Sequence, residues 1–154
     1  VLSGATVVAL ETRHGFAHAV RRGLEHVATP HVMVVQHDRR FLKGFDLGGL
    51  LEAMRGDPTI RYVGLPTKTT HNHAEVMKTR HGIACGRVVA GGLPLVPLLQ
   101  WYDSTHVATV DLYREIFRPG GLFVRERGGI LRSMFIEDKV GQQQLEEIKR
   151  GGMA

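Results

Sequence analysis

Thr29-Pro30-His31-Val32-Met33-Val34-Val35-Gln36-His37-Asp38 is the stretch on which the architecture turns. Its apolar, β-branched middle, residues 31–36, reads as a buried strand. Pro30 marks the start, because its ring disfavours helical geometry in the residue before it. Upstream, residues 15–28 place Phe16, Ala19, Val20, Leu24 and Val27 at helical spacing, with Arg21, Arg22 and Glu25 on the other side. Before that helix, the run Ala5-Thr6-Val7-Val8-Ala9-Leu10 reads as a further buried strand. Strand, helix and strand in that order make a βαβ unit, which implies a parallel sheet and a right-handed crossover.

Working downstream, residues 46–55 read as a helix stopped by Gly56-Asp57-Pro58, and residues 60–64 as a strand. The polar, His-rich stretch 67–80 reads as a loop with a helical turn. Residues 83–90 and 122–124 suggest strands, 111–117 a short helix and 137–150 the last helix. No internal repeat or low-complexity tract interrupts this order. The expected fold class is α/β with a mostly parallel, Rossmann-like sheet, in one domain spanning 1–154.

Composition narrows the class. Apolar residues make up 43% of 154 and charge is mixed, as in a chain that buries a core. No run approaches the roughly 20 apolar residues of a membrane span. The longest apolar stretch, 91–99, carries Pro94 and Pro97 and is therefore not a helix. The net charge of +5 favours anionic partners. A nucleic acid and a nucleotide diphosphate are both such partners. The basic residues are scattered, no Lys/Arg block interleaved with aromatics reads as an RNA surface, and charge alone does not decide. Cys85 is the lone cysteine, which excludes an internal disulfide and is compatible with a reducing, cytoplasmic setting.

Ligands of open α/β sheets gather at the carboxyl ends of strands, which puts Asp38 in the favoured position. A carboxylate there suits Mg²⁺ or Mn²⁺ shared with phosphate oxygens; pairing with Arg39 or Arg40 is the plainer role. Glu137-Asp138 heads the last helix, where acids complement the helix dipole and where one could also serve as a general base. Trp101-Tyr102-Asp103 reads either as an exposed sugar-stacking platform or as core. His71, His73 and His81 lack a partner acid or cysteine at metal-ligand spacing and read as a solvated loop. His14, His18 and His26 read as surface or satisfied histidines. Gly120-Gly121 and Gly128-Gly129 suggest turns about a hairpin rather than a phosphate cradle.

Taken in order, these pieces resemble the family-2-like glycosyltransferases of the GT-A fold. The matching residues are His14-Gly15 with Ala19 and Gly23, then 29–38, Gly56-Asp57-Pro58, Tyr62-Val63-Gly64, Tyr113-Arg114-Glu115, Gly120-Gly121-Leu122-Phe123 and Phe135-Ile136-Glu137-Asp138. The resemblance implies transfer of a sugar from a nucleotide-diphosphate donor to a hydroxyl of a glycan, lipid or small-molecule acceptor, with inversion. It implies that Gln36, His37 and Asp38 face the donor, with Asp38 at the last position of an Asp-x-Asp metal motif whose first acid is here Gln36. Mn²⁺ or Mg²⁺ would bridge the diphosphate. Asp138 would be the base and Glu137 its support. The family's first strands would precede Val1, so the chain is expected to be an N-terminally partial domain. A binding module without catalysis, a nucleotidyltransferase and a basic nucleic-acid-binding domain are the alternative readings.

Overall fold

The computed structural model describes residues 4–13, 15–39, 41, 43–68, 70–119 and 135–151. The elements in chain order are α1 (Phe16–Leu24), β1 (His31–Val34), α2 (Leu47–Gly56), β2 (Tyr62–Gly64), α3 (His73–His81), β3 (Val88–Ala90), β4 (Leu93–Leu95), β5 (His106–Thr109) and α4 (Val110–Ile116). A π-helical turn (Glu137–Gly141) then leads into α5 (Gln142–Gly151). Among the described residues no helix is long and apolar enough to cross a membrane.

The main sheet runs β1-β5-β2, and β5 is antiparallel to both neighbours. This corrects the expected mostly parallel, Rossmann-like sheet. Apolar periodicity reports that a segment is buried but not which way it points. β1 and β2 are parallel to each other, and α2 does connect them, yet they never pair because β5 lies between them. The strand expected at 5–10 is also absent: the segment carries no ladder, and Val7 is 88% exposed. The βαβ unit read from residues 5–36 therefore does not form.

Alternation along the three strands sorts the core into two layers, because successive side chains leave opposite faces. Val32, Val34, Tyr62 and Ala108 join α1, α4 and the Ile136 segment on one face through Ala17, Tyr113, Phe117 and Trp101. Met33, Val63 and Val107 pack on the other face against Leu50 and Met54 of α2, Ile60 and the β3–β4 hairpin. A strand buried on both faces in this way reads as continuous rather than alternating apolar sequence, and His106, at 0% exposure, breaks that run.

Local chemistry sets the helix ends. Asp46 caps α2 by accepting from the Gly49 amide, and Thr109 caps α4 by accepting from Leu112. The stretch read as a polar loop at 67–80 instead contains α3, which ends at Gly82 with φ +70. The Gly82 amide bonds to Lys78 and the Ile83 amide to Met77, the paired closure that a left-handed glycine permits. The turns expected at Gly120-Gly121 and Gly128-Gly129, the strand at 122–124 and His14 lie outside the described residues.

The β3–β4 hairpin turns on Gly91 and Gly92, with φ of +55 and +78. Two consecutive positive φ values make the tight turn whose twist matches its strands. A Cβ at Gly91 would lie 2.8 Å from the Ala53 carbonyl oxygen, whereas Gly92 faces open space. Gly91→Ala is therefore expected to destabilise by about 2–4 kcal/mol, from left-handed strain plus overpacking against α2. Gly92→Asn should cost less, from left-handed backbone strain alone, and urea melts of the two variants check the difference.

Candidate functional site

β1 and β2 both pair with His106 at their carboxyl ends, through Val34 and Gly64. The chain leaving β1, the chain leaving β2 and the chain entering β5 consequently share one edge of the sheet. That edge holds the Gln36-His37-Asp38 turn, the segment 65–67 and the stretch from Trp101 to Thr105.

Asp103 is the anchor of this edge and is only 2% exposed. Its Oδ1 accepts from Trp101 Nε1 at 3.0 Å, and its Oδ2 accepts from the Ile136 and Glu137 amides at 2.8 and 3.3 Å. Glu137 Oε2 in turn accepts from the Asp103 amide at 3.1 Å. This is a reciprocal capping box assembled across the fold rather than along one helix. It fastens the start of the Glu137–Asp138 helix to the approach to β5. Burial raises the Asp103 carboxyl to about 6 despite the hydrogen bonds it accepts, which pull the other way. Gly141 lets the π-helical turn come close, since a Cβ there would lie 2.9 Å from the Trp101 carbonyl oxygen.

Beneath Asp103 lies an aromatic box. The Trp101 ring sits 4.4 Å from Tyr62 and edge-on to His106 and Tyr113. His106 Nδ1 lies 2.6 Å from the Ser104 carbonyl, so it carries the proton and Nε2 accepts from the Tyr113 hydroxyl. Burial lowers the His106 imidazole to about 4.

His73 is the second buried imidazole. Its Nε2 accepts from the Leu99 amide at 3.3 Å, which leaves Nδ1–H to donate to the Tyr102 hydroxyl at 2.8 Å. Burial again pushes this imidazole down. Burial first, and the Glu137 carboxylate next, push the Tyr102 phenol up, with the Arg80 guanidinium opposing. Tyr102 is half-buried and lines a cavity of about 810 Å³ between α2, the hairpin, α3 and the π-helical turn.

The sequence-derived candidates divide as follows. Asp38 is exposed, with its carboxylate 4.0 Å from Arg39, whose Nε also donates to Gln36 Oε1 at 3.4 Å. His37 is exposed on the same turn. Asp138 is exposed and accepts a long 3.4 Å bond from the Phe135 amide. Trp101 and Asp103 are core rather than an exposed platform, and of the three only Tyr102 reaches solvent to any extent. Neither Asp38 nor Asp138 lines the cavity.

His73 is buried, not part of a solvated loop. His106 and Gln144 went unread in the sequence, and Tyr113 entered only as part of the resemblance, without a role of its own. Only the β-branched flanks of His106 (Thr105, Val107, Thr109) hinted at its strand.

Asp38 offers one carboxylate, and among the described residues no three His, Cys, Asp or Glu side chains converge as a metal cage. A lone carboxylate fits a hard cation that arrives on a diphosphate and keeps most of its waters, not a resident ion. No family model, curated protein or solved structure matches this chain.

Proposed function

We propose that this protein transfers a sugar from a nucleotide-diphosphate donor to an acceptor hydroxyl, with inversion. The observation that supports the reading is the antiparallel register of β5. It brings the Gln36–Asp38 turn and the Asp103-anchored Glu137–Asp138 helix, about 100 residues apart in sequence, to one edge of the sheet. In this reading Asp38 would hold a divalent cation brought in with the donor, and Arg39 beside it adds positive charge. Such a cation would supply Lewis-acid stabilisation of the leaving diphosphate. Asp138 removes the acceptor proton, and Glu137, tied to the Asp103 amide, fixes the helix that carries it.

The test is release of nucleoside diphosphate from a panel of uridine- and guanosine-diphosphate sugars, with Mn²⁺ and with chelator. Metal-dependent release is expected in the wild type. In Asp38→Ala the rate should fall by about 10²-fold or more, with the metal response lost. Donor binding without any turnover would mark a non-catalytic module, and neither binding nor turnover would remove the reading altogether.

A further inference from the structure

The 810 Å³ cavity is not used by the donor chemistry above, and its composition is selective. One long wall is apolar: Leu50, Ile60, Val63, Ala90, Leu95 and Leu98. Phe45 lines it, 41% exposed and stacked at 5.9 Å on a still more exposed Phe41, which gives that side an apolar lip. Polar and charged residues, among them Asp46, Arg61 and Thr70, also line it; the polar part whose hydrogen-bonding state bears on a ligand is formed by Tyr102, bonded to His73, and Gln144.

Hydrogen-bond roles at that polar part are set by the protein. The Leu99 amide fixes the His73 tautomer, so the Tyr102 oxygen accepts from His73 and its own proton is left to donate outward. The Gln144 amide oxygen is buried without a donor among the described residues. An unpaired buried acceptor is costly, so a group that supplied a proton to it would gain. One donor and one orphaned acceptor complement a hydroxyl, which is both. Tyr102 also feels the Glu137 carboxylate, and Val140 and Gln144 continue the same helical segment, so this polar part lies beside the acidic helix start.

We propose that this cavity binds an amphipathic alcohol, its hydrocarbon body along the Leu50–Leu95 wall and its hydroxyl between Tyr102 and Gln144. Asp138 does not line the cavity, so this is a binding site apart from the transfer chemistry and independent of the glycosyltransferase reading.

Trp101 is the single tryptophan of the chain and lines the cavity, so a brominated hydrocarbon entering it quenches the intrinsic fluorescence. The probes are ω-bromoundecanol and bromoundecane, with no donor present. Saturable quenching is expected for both, with the alcohol bound about tenfold more tightly, the worth of one good hydrogen bond. Tyr102→Phe should bring the two probes towards parity. Ala90→Phe, which fills the apolar wall, should weaken both. Should Ala90→Phe fail to fold by circular dichroism, the Tyr102→Phe comparison decides alone. Quenching that rises linearly without saturation, or an alcohol preference unchanged in Tyr102→Phe, overturns the proposal. Because no sugar donor enters the assay, loss of the transferase reading would leave this result standing, and the reverse also holds.

Discussion

Asp138→Asn is expected to slow sugar transfer by roughly 10²–10⁴-fold, the usual worth of a general base, while leaving the urea midpoint unchanged. Two features of the site separate these effects. The Asp138 side chain is exposed, and its bond to the Phe135 amide is a long one that an asparagine oxygen can still accept. What the amide cannot do is take a proton from an acceptor hydroxyl. Single-turnover rates with donor in excess isolate that step from product release. Glu137→Ala provides the contrast. It removes the acceptor for the Asp103 amide and so should lower both stability and rate. Wild-type turnover in Asp138→Asn would strip the residue of its role.

The second large effect is a pair of opposed pH dependences hidden in one core. Burial holds the Asp103 carboxyl at about 6, above its unfolded value near 3.9. Between those values the native state binds the proton more tightly, so stability is greatest below pH ~4 and falls as pH rises through ~6. Burial holds His106 at about 4, below an unfolded value near 6.5. There the unfolded chain takes the proton first, so stability is full above pH ~6.5 and falls as pH drops through ~4. Each slope amounts to on the order of 3 kcal/mol across the same window. His73, also pushed down by burial, adds to the loss on acidification.

The wild type should therefore show a shallow dependence from about pH 4 to 6.5, shallower than either variant. Asp103→Asn should lose stability steadily on acidification, and His106→Gln should gain it. Asp103→Asn also sets an amide nitrogen against donors, since both carboxylate oxygens accept, and so lowers stability at every pH by about 1–3 kcal/mol. Denaturant titrations across the window read the slopes. Parallel curves for the three proteins would refute the assignment.

Much of the local structure was legible in the sequence. α2 was readable from its apolar spacing and its Gly56-Asp57-Pro58 stop, β1 from its β-branched run, and α4 from residues 111–117 to within a residue or so. The direction and order of the strands were not, because that information lies in the pairing of β5. Its residues look like the continuation of a polar turn until the flanking strands are in place. Residues 5–10 show the converse. Their composition favours a strand, yet composition cannot supply the neighbouring backbone that a strand requires.

At the candidate site the acids were visible as motifs. What anchors them was not. Asp103 was read with Trp101 as either a sugar platform or core; its carboxylate in fact faces inward and caps a helix 33 residues later. Through-space capping leaves no spacing rule to find. His73 escaped for a similar reason: its partners, Leu99 and Tyr102, come from a distant segment.

The central strand also dictates an order of events as the chain folds. β1 meets its partner across roughly 75 intervening positions, which places the sheet among slow-forming, non-local topologies. On a ribosome, β1, α2 and β2 would all have emerged before any of them could find a ladder. Their apolar faces would stay open until the Thr105–Thr109 segment cleared the exit tunnel. Growth from the amino end should thus yield no stable intermediate, and closure should come late and all at once, when one four-residue strand slots into the gap.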